Sequence, residues 1–99
     1  MILIVQHSVC NYDAWKPVFD EHESVRAKYG CQGHTICRDA DKPNDLTLFM
    51  TYEWRERADE LMRDPSLAEA IERGGVVSEP RFSWAEEAEA ATYAERRSG

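Results

Sequence analysis

Apolar positions along this chain recur with two different periods, and the places where the period changes divide it into elements. Ile2 to Val9 is rich in β-branched residues and predicts a first strand. Its opening, Ile2-Leu3-Ile4-Val5, is apolar on both faces, as expected of a central strand covered on both sides. From Tyr12 to Tyr29 the period lengthens to that of a helix. With Trp15 at zero on a helical wheel, Phe19 lies at about 40°, Val18 at about 300°, Val25 at about 280° and Tyr29 at about 320°. His34 to Arg38 predicts a short second strand, and DADKPND after it supplies Asp, Pro and Asn for a surface turn. Leu46 to Trp54 has the clearest period of two, with Leu46, Leu48, Met50, Tyr52 and Trp54 on one face and Phe49 on the other.

The second half repeats this order. Glu56 to Met62 begins a helix, Asp64-Pro65 interrupts it, and Ser66 to Arg73 resumes with Leu67, Ala70 and Ile71 inward. Gly74-Gly75 ends it, and Arg81 to Ala85 predicts a last strand with Phe82 and Trp84 on one face. Residues 86–99 have helical propensity but little apolar surface, which leaves a frayed helix and a disordered tail both open. In the first helix, Asn11 or Asp13 can cap the start and Gly30 can close the end in the left-handed conformation. Pro17 is awkward there. With Asp13 as the cap it removes the first intrahelical donor, and a loosened first turn is expected.

The resulting order is β-α-β-β-α-β, the split βαβ arrangement of a ferredoxin-like α+β fold. Right-handed crossovers place both helices on one face of a four-stranded antiparallel sheet. One domain over residues 1–85, followed by a polar C-terminal tail over 86–99, is the expected organisation. The other sheet face would carry Phe49 and part of the apolar first strand into water. A homodimer packed sheet to sheet about a two-fold axis is the simplest cover for it.

Two polar side chains interrupt the apolar stripe of the first helix. His22 falls at about 340° and Arg26 at about 20° on the same wheel, one turn apart. An unpaired buried polar group costs roughly 1–3 kcal/mol, and a charge more. Either the pair is tied into a structural network or it faces a pocket. Other candidates are weaker. Tyr52 and Trp54 are core aromatics by strand spacing and could equally form a pocket wall. His7 sits late in the first strand, and His34 and Arg38 share a face of the second.

Charge narrows the partners. A net charge of −7 argues against nucleic acid or an anionic membrane as a partner. No segment approaches the roughly 20 apolar residues of a membrane span, and MILIV is too short for a signal peptide. Three cysteines, Cys10, Cys31 and Cys37, without C-x-x-C spacing predict neither a disulfide framework nor a zinc site, and fit a reducing cytoplasm. His spacing offers no metal-ligand motif, and there is no Gly-rich phosphate loop.

The segment VQHSVCNYDAWKPVFDEH with Arg26 and Gly30, then DKPND, the strand ending YEW, DPSLAEAIERGGV and the final EPRFSW, resembles the dimeric α+β-barrel superfamily. Within it the chain is most similar to antibiotic-biosynthesis-monooxygenase-like domains, over residues 1–85. The resemblance implies a homodimer and a pocket in each protomer between sheet and helices. It also implies one of several chemistries, among them cofactor-free quinone-forming oxygenation and polyketide cyclisation. The tryptophan that ends the third strand in the cofactor-free oxygenases matches Trp54. The asparagine four residues before it is Met50 here, a departure from the oxygenase pattern.

Two functions are therefore expected. The first is a small-molecule tailoring enzyme of secondary metabolism, a cofactor-independent cyclase or monooxygenase acting on an aromatic, polyketide-like substrate. Trp15, Phe19, Met50 and Trp54 would wall the pocket. His22 would serve as acid or base, with His7 as a further candidate, and Arg26 and Tyr52 would stabilise an enolate or phenolate oxygen. No cofactor and no metal are expected. The second is a non-catalytic ligand-binding or structural homodimer of the same fold.

Overall fold

The computed structural model describes residues 1–94. The order is β1 (Ile2–Ser8), α1 (Tyr12–Glu21), α2 (Glu23–Lys28), β2 (Cys31–Arg38), β3 (Asp45–Tyr52), α3 (Arg55–Met62), α4 (Pro65–Arg73) and β4 (Arg81–Ala85). The four strands form one antiparallel sheet in the order β2-β3-β1-β4, the ferredoxin-like topology. Residues 86–94 carry neither helix nor strand, and the rest of the tail, 95–99, lies outside the described residues.

Strand register assigns the two faces. Leu3 pairs with Met50 and Trp84, Val5 with Leu48 and Phe82, and His7 with Leu46, so all these side chains share the helix-covered face. Leu3, Val5, Leu46, Leu48, Met50 and Tyr52 are buried there with Val9, Trp15, Phe19 and Ala58. Ile2, Ile4 and Phe49 share the opposite face and are only half-buried. No helix among the described residues is long and apolar enough to cross a membrane.

The second helical segment is broken at Asp64-Pro65 as expected, the first is also a pair, and both breaks have local causes. Asn11 caps α1 by accepting from the Ala14 amide at 3.1 Å, which puts Pro17 beyond the first turn. Pro17 is therefore carried inside the helix, not at a loosened start. The helix stops at His22, whose amide donates to the Val18 and Phe19 carbonyls at 3.3 and 3.2 Å. Arg26 Nη1 donates to the same Phe19 carbonyl at 2.7 Å, so a side chain supplies a bond that a continuous helix would make with backbone. Gly30, at φ 91°, then turns the chain into β2. In the second pair, Asp64 accepts from the Ser66 amide at 2.8 Å and Pro65 takes the first helical position, where its missing N–H costs nothing.

Two strands differ in extent from expectation. β2 begins three residues before His34, because a bulge between Cys31 and Gly33 lets the edge strand pair further along β3. β3 ends at Tyr52, two residues before Trp54, which instead occupies the N-cap position of α3.

Candidate active site

The site is built by α1 crossing the sheet with its stripe of large side chains facing down. Trp15 lies edge-on to His7 (ring centroids 5.9 Å apart) and 4.8 Å from Phe19, and Phe19 meets His34 edge-on at 4.9 Å. Seven residues beyond Phe19, the Arg26 guanidinium stacks on its ring, with Cζ 3.7 Å from the centroid. Between this ladder, the sheet and α4 runs a mostly apolar cavity of about 90 Å³. Its polar lining is His7, His22, Arg26 and Tyr52, set among apolar side chains such as Met50, Leu61 and Ile71. Met62 and Phe82 also line it and are 36% and 48% exposed, which places an apolar mouth between α3, α4 and β4.

The four polar groups are not equivalent. Arg26 is 4% exposed and has no carboxylate partner: Nη1 is used on the Phe19 carbonyl, and Nη2 is buried without any hydrogen bond. Burial lowers its pKa, although a guanidinium so perturbed still carries its charge at neutral pH. Tyr52 is 1% exposed, and its hydroxyl is likewise buried and unpartnered. Burial is the first cause that pushes the Tyr52 phenol up, so it stays protonated and can donate. The neighbouring Cys31 thiol, a further cause of the raised phenol, donates to the Gly33 carbonyl at 3.4 Å.

His22 is buried but satisfied, with Nε2 3.0 Å from Ser66 Oγ at the start of α4. Its pKa is lowered by burial first and by Arg26 second, against an opposing pull from Asp64. It is therefore neutral near pH 7. Close by, the Tyr29 hydroxyl donates to Asp64 Oδ2 at 2.6 Å. The bonds from Tyr29 and Ser66 hold the Asp64 carboxyl down to about 2.

His7 stands apart from this group. It pairs with Leu46 on β3, six residues before Tyr52, so about 20 Å of strand separates it from Tyr52. His7 therefore lies toward the other end of the crevice from Tyr52. Its Nδ1 is buried without a partner, and burial lowers its pKa.

Trp54 requires a correction. It is 62% exposed and does not line the cavity, because the strand alternation that would have aimed it inward stops at Tyr52. Trp15, Phe19 and Met50 do line it. His34 and Arg38 are exposed, the Arg38 guanidinium lying 4.0 Å from the Tyr12 ring centroid. Reasoning on sequence did not single out Ser66, Leu61, Met62, Pro80 or Phe82. Ser66 carried a signal: it follows an Asp-Pro helix start, which puts its side chain in a first turn facing whatever that helix covers.

Among the described residues, no group of three or more His, Cys, Asp or Glu side chains is placed to hold a metal ion.

Comparison with known proteins gives the fold a wider setting. No protein-family model and no curated protein sequence matches the chain. Solved structures do. SnoaB from Streptomyces nogalater, a cofactor-independent oxygenase, superposes with a TM-score of 0.69 at 17% identity, covering 87% of this chain and 92% of that one. A protein proposed to be an antibiotic biosynthesis monooxygenase, from Bordetella bronchiseptica, gives 0.75 at 13% identity over 87% and 94%. Rv0793 from Mycobacterium tuberculosis gives 0.64 at 21% identity over 91% and 98%. The chain thus has the ferredoxin-like α+β fold of the antibiotic-biosynthesis-monooxygenase-like proteins. At these identities the likeness is one of fold.

Proposed function

We propose that this protein is a small-molecule enzyme of the cofactor-independent oxygenase or cyclase type, acting on a flat, oxygenated aromatic compound. One observation carries the reading. Arg26 Nη2 and Tyr52 Oη, two buried donors without partners, line the same apolar cavity. Two unpaired donors in a dry site are costly for folding and useful where negative charge develops on an oxygen. The activated form of a hydroxylated aromatic is such an oxygen, a phenolate or enolate. His22, neutral at pH 7, is the base nearest that end. The similarity to SnoaB in fold supports the reading without carrying it.

The enclosed space limits how such a ligand sits. At about 90 Å³ it is smaller than the roughly 150 Å³ that holds a benzene ring. A polycyclic ligand would insert only the oxygen-bearing edge of one ring and leave the rest along the exposed mouth at Met62 and Phe82. In the same reading the half-buried face of Ile2, Ile4 and Phe49 is covered by a second copy. Sedimentation at micromolar concentration should then give twice the 11.4 kDa chain mass.

The direct test is oxygen uptake on a simple anthrone with no added cofactor, in which anthrone and dioxygen yield anthraquinone and water. Wild type should accelerate the reaction, and His22→Gln should lower the rate by about 10²–10⁴-fold with the fold intact. The second reading, a non-catalytic ligand-binding or structural dimer, draws on the bond that already occupies His22. It would be favoured if wild type gave no acceleration and His22→Gln only lowered stability.

A further inference from the structure

We infer that the Arg26 end of the cavity takes its ligand as a preformed anion: a carboxylate or phenolate at the edge of a flat ring, entering oxygen first. The inference rests on the reading above for the location of the site, and adds the charge state and the size of the group that enters.

The charge argument begins with what Arg26 lacks. A guanidinium has five donors, and one that is 96% removed from solvent needs nearly all of them used. Here one bond goes to a neutral carbonyl and the flat face is spent on Phe19. The acidic neighbours Glu23 and Asp20 only influence it from a distance, and neither forms an ion pair with it. The cations of the described ion pairs are half-buried or exposed: Lys16 with Asp20, Arg57 with Glu60, and Arg73 with Glu21. The chain is strongly acidic overall, yet among the described residues its most buried positive charge has no carboxylate counter-ion. A buried charge in that state is unfavourable unless an anion joins it, and the cavity it lines is where an anion can arrive.

Shape supplies the second half. The side chains around this end are Phe19, Met50, Leu61 and Tyr52, which leave an apolar slot. Arg26 Nη2 adds a donor that carries a fixed positive charge, and Tyr52 Oη a hydroxyl that is held protonated and can donate. A buried cation without a counter-ion behind an apolar slot selects an aromatic acid anion over its neutral amide, since only the anion compensates the charge.

Benzoate and benzamide are matched in size and differ in this one respect. Calorimetric titration of the intact protein at pH 7 and constant ionic strength should show benzoate binding at least about tenfold more tightly than benzamide. Arg26→Met should remove that preference while its melting temperature equals or exceeds that of wild type, because an apolar chain of similar length replaces an unpaired buried charge. Arg26→Lys keeps the charge in case the methionine variant does not fold, and should retain some of the preference for benzoate. Tyr52→Phe should weaken benzoate more than benzamide, because a hydrogen bond to a carboxylate is stronger than one to an amide carbonyl. Benzamide binding as tightly as benzoate, no binding of benzoate at millimolar concentration, or undiminished benzoate binding by a folded Arg26 variant would each overturn the inference. The enzyme reading fails separately. Benzoate bound through Arg26 with no turnover of anthrone leaves the anion site standing and removes the catalysis.

Discussion

The two helical pairs cover the same sheet in different ways. The first pair presses Trp15 and Phe19 from α1 and Arg26 from α2 into it, with His22 buried at their junction. In the second pair only Ala58 and Leu61 of α3 are buried, and α4 buries nothing completely. Leu67, Ala70 and Ile71 of α4 reach toward the sheet and stop half-buried over the cavity. The first pair is therefore a wall and α4 a cover. Three side-chain contacts hold the cover: His22 to Ser66, Tyr29 to Asp64, and Arg73 to Glu21 at 3.1 Å. At its far end α4 closes on Trp15 through Gly74, where a Cβ would meet Trp15 Cδ1 at 3.0 Å.

Large-to-small substitutions should separate wall from cover most strongly. Phe19→Ala empties a buried site and should cost about 3–5 kcal/mol in denaturant unfolding. Ile71→Ala removes a comparable aliphatic chain from a half-buried position and should cost less than about 2 kcal/mol. Equal losses would mean that α4 is packed as tightly as α1, and that the space beneath it is not a ligand cavity.

Acid should act on the wall first. His7 and His22 both have pKa values below the ordinary 6.5, so the unfolded chain binds more protons than the folded one as pH drops through 6.5. Stability should fall from there downward until both folded groups are protonated. Asp64 behaves in the opposite range, since its carboxyl is held down to about 2. Its contribution is full above the ordinary 3.8 and disappears as pH falls toward 2, loosening the start of α4. Denaturant midpoints measured from pH 8 to pH 3 should show the first window flattened in the double variant His7→Gln, His22→Gln. An unchanged profile would mean that neither ring is buried neutral.

The outermost contact should matter least. Arg73 and Glu21 are 52% and 66% exposed, so Arg73→Ala should change stability by less than about 1 kcal/mol. A larger loss would make α4 a fastened element and not a cover.

The wall was far more legible in the sequence than the cover. A period of 3.6 over residues 12–29 named Trp15, Phe19, His22 and Arg26 as one face, and all four are buried. Their burial does not require a straight helix: the break at His22 shifts the stripe little, because Arg26 reaches back to the Phe19 carbonyl. That bond joins a side chain to backbone seven residues away, and no periodicity encodes it. Strand alternation was legible wherever the strand persisted. Extrapolated two residues beyond Tyr52, it aimed Trp54 inward, whereas the chain had already turned into α3. The separation of His7 from Tyr52 depends on register between β1 and β3, which pattern alone does not fix. The Asp64-Pro65 start of α4 was readable, but that Ser66 would meet His22 was not, since the contact depends on how two helical pairs lie across the sheet.

The central claim is that the polar end of the cavity is kept for a ligand and not for the fold, and Tyr52→Phe tests it with no substrate in hand. The substitution removes one buried hydroxyl that has no hydrogen bond of good geometry among the described residues and only the Cys31 thiol beside it, and leaves the ring and its packing against Trp84 unchanged. If the hydroxyl has no structural partner, unfolding in urea should show a stability equal to wild type or up to about 1–3 kcal/mol higher, as the desolvation cost of an unsatisfied group is relieved. A loss of more than about 1 kcal/mol would show that the hydroxyl is bonded within the folded protein, and would contradict the claim.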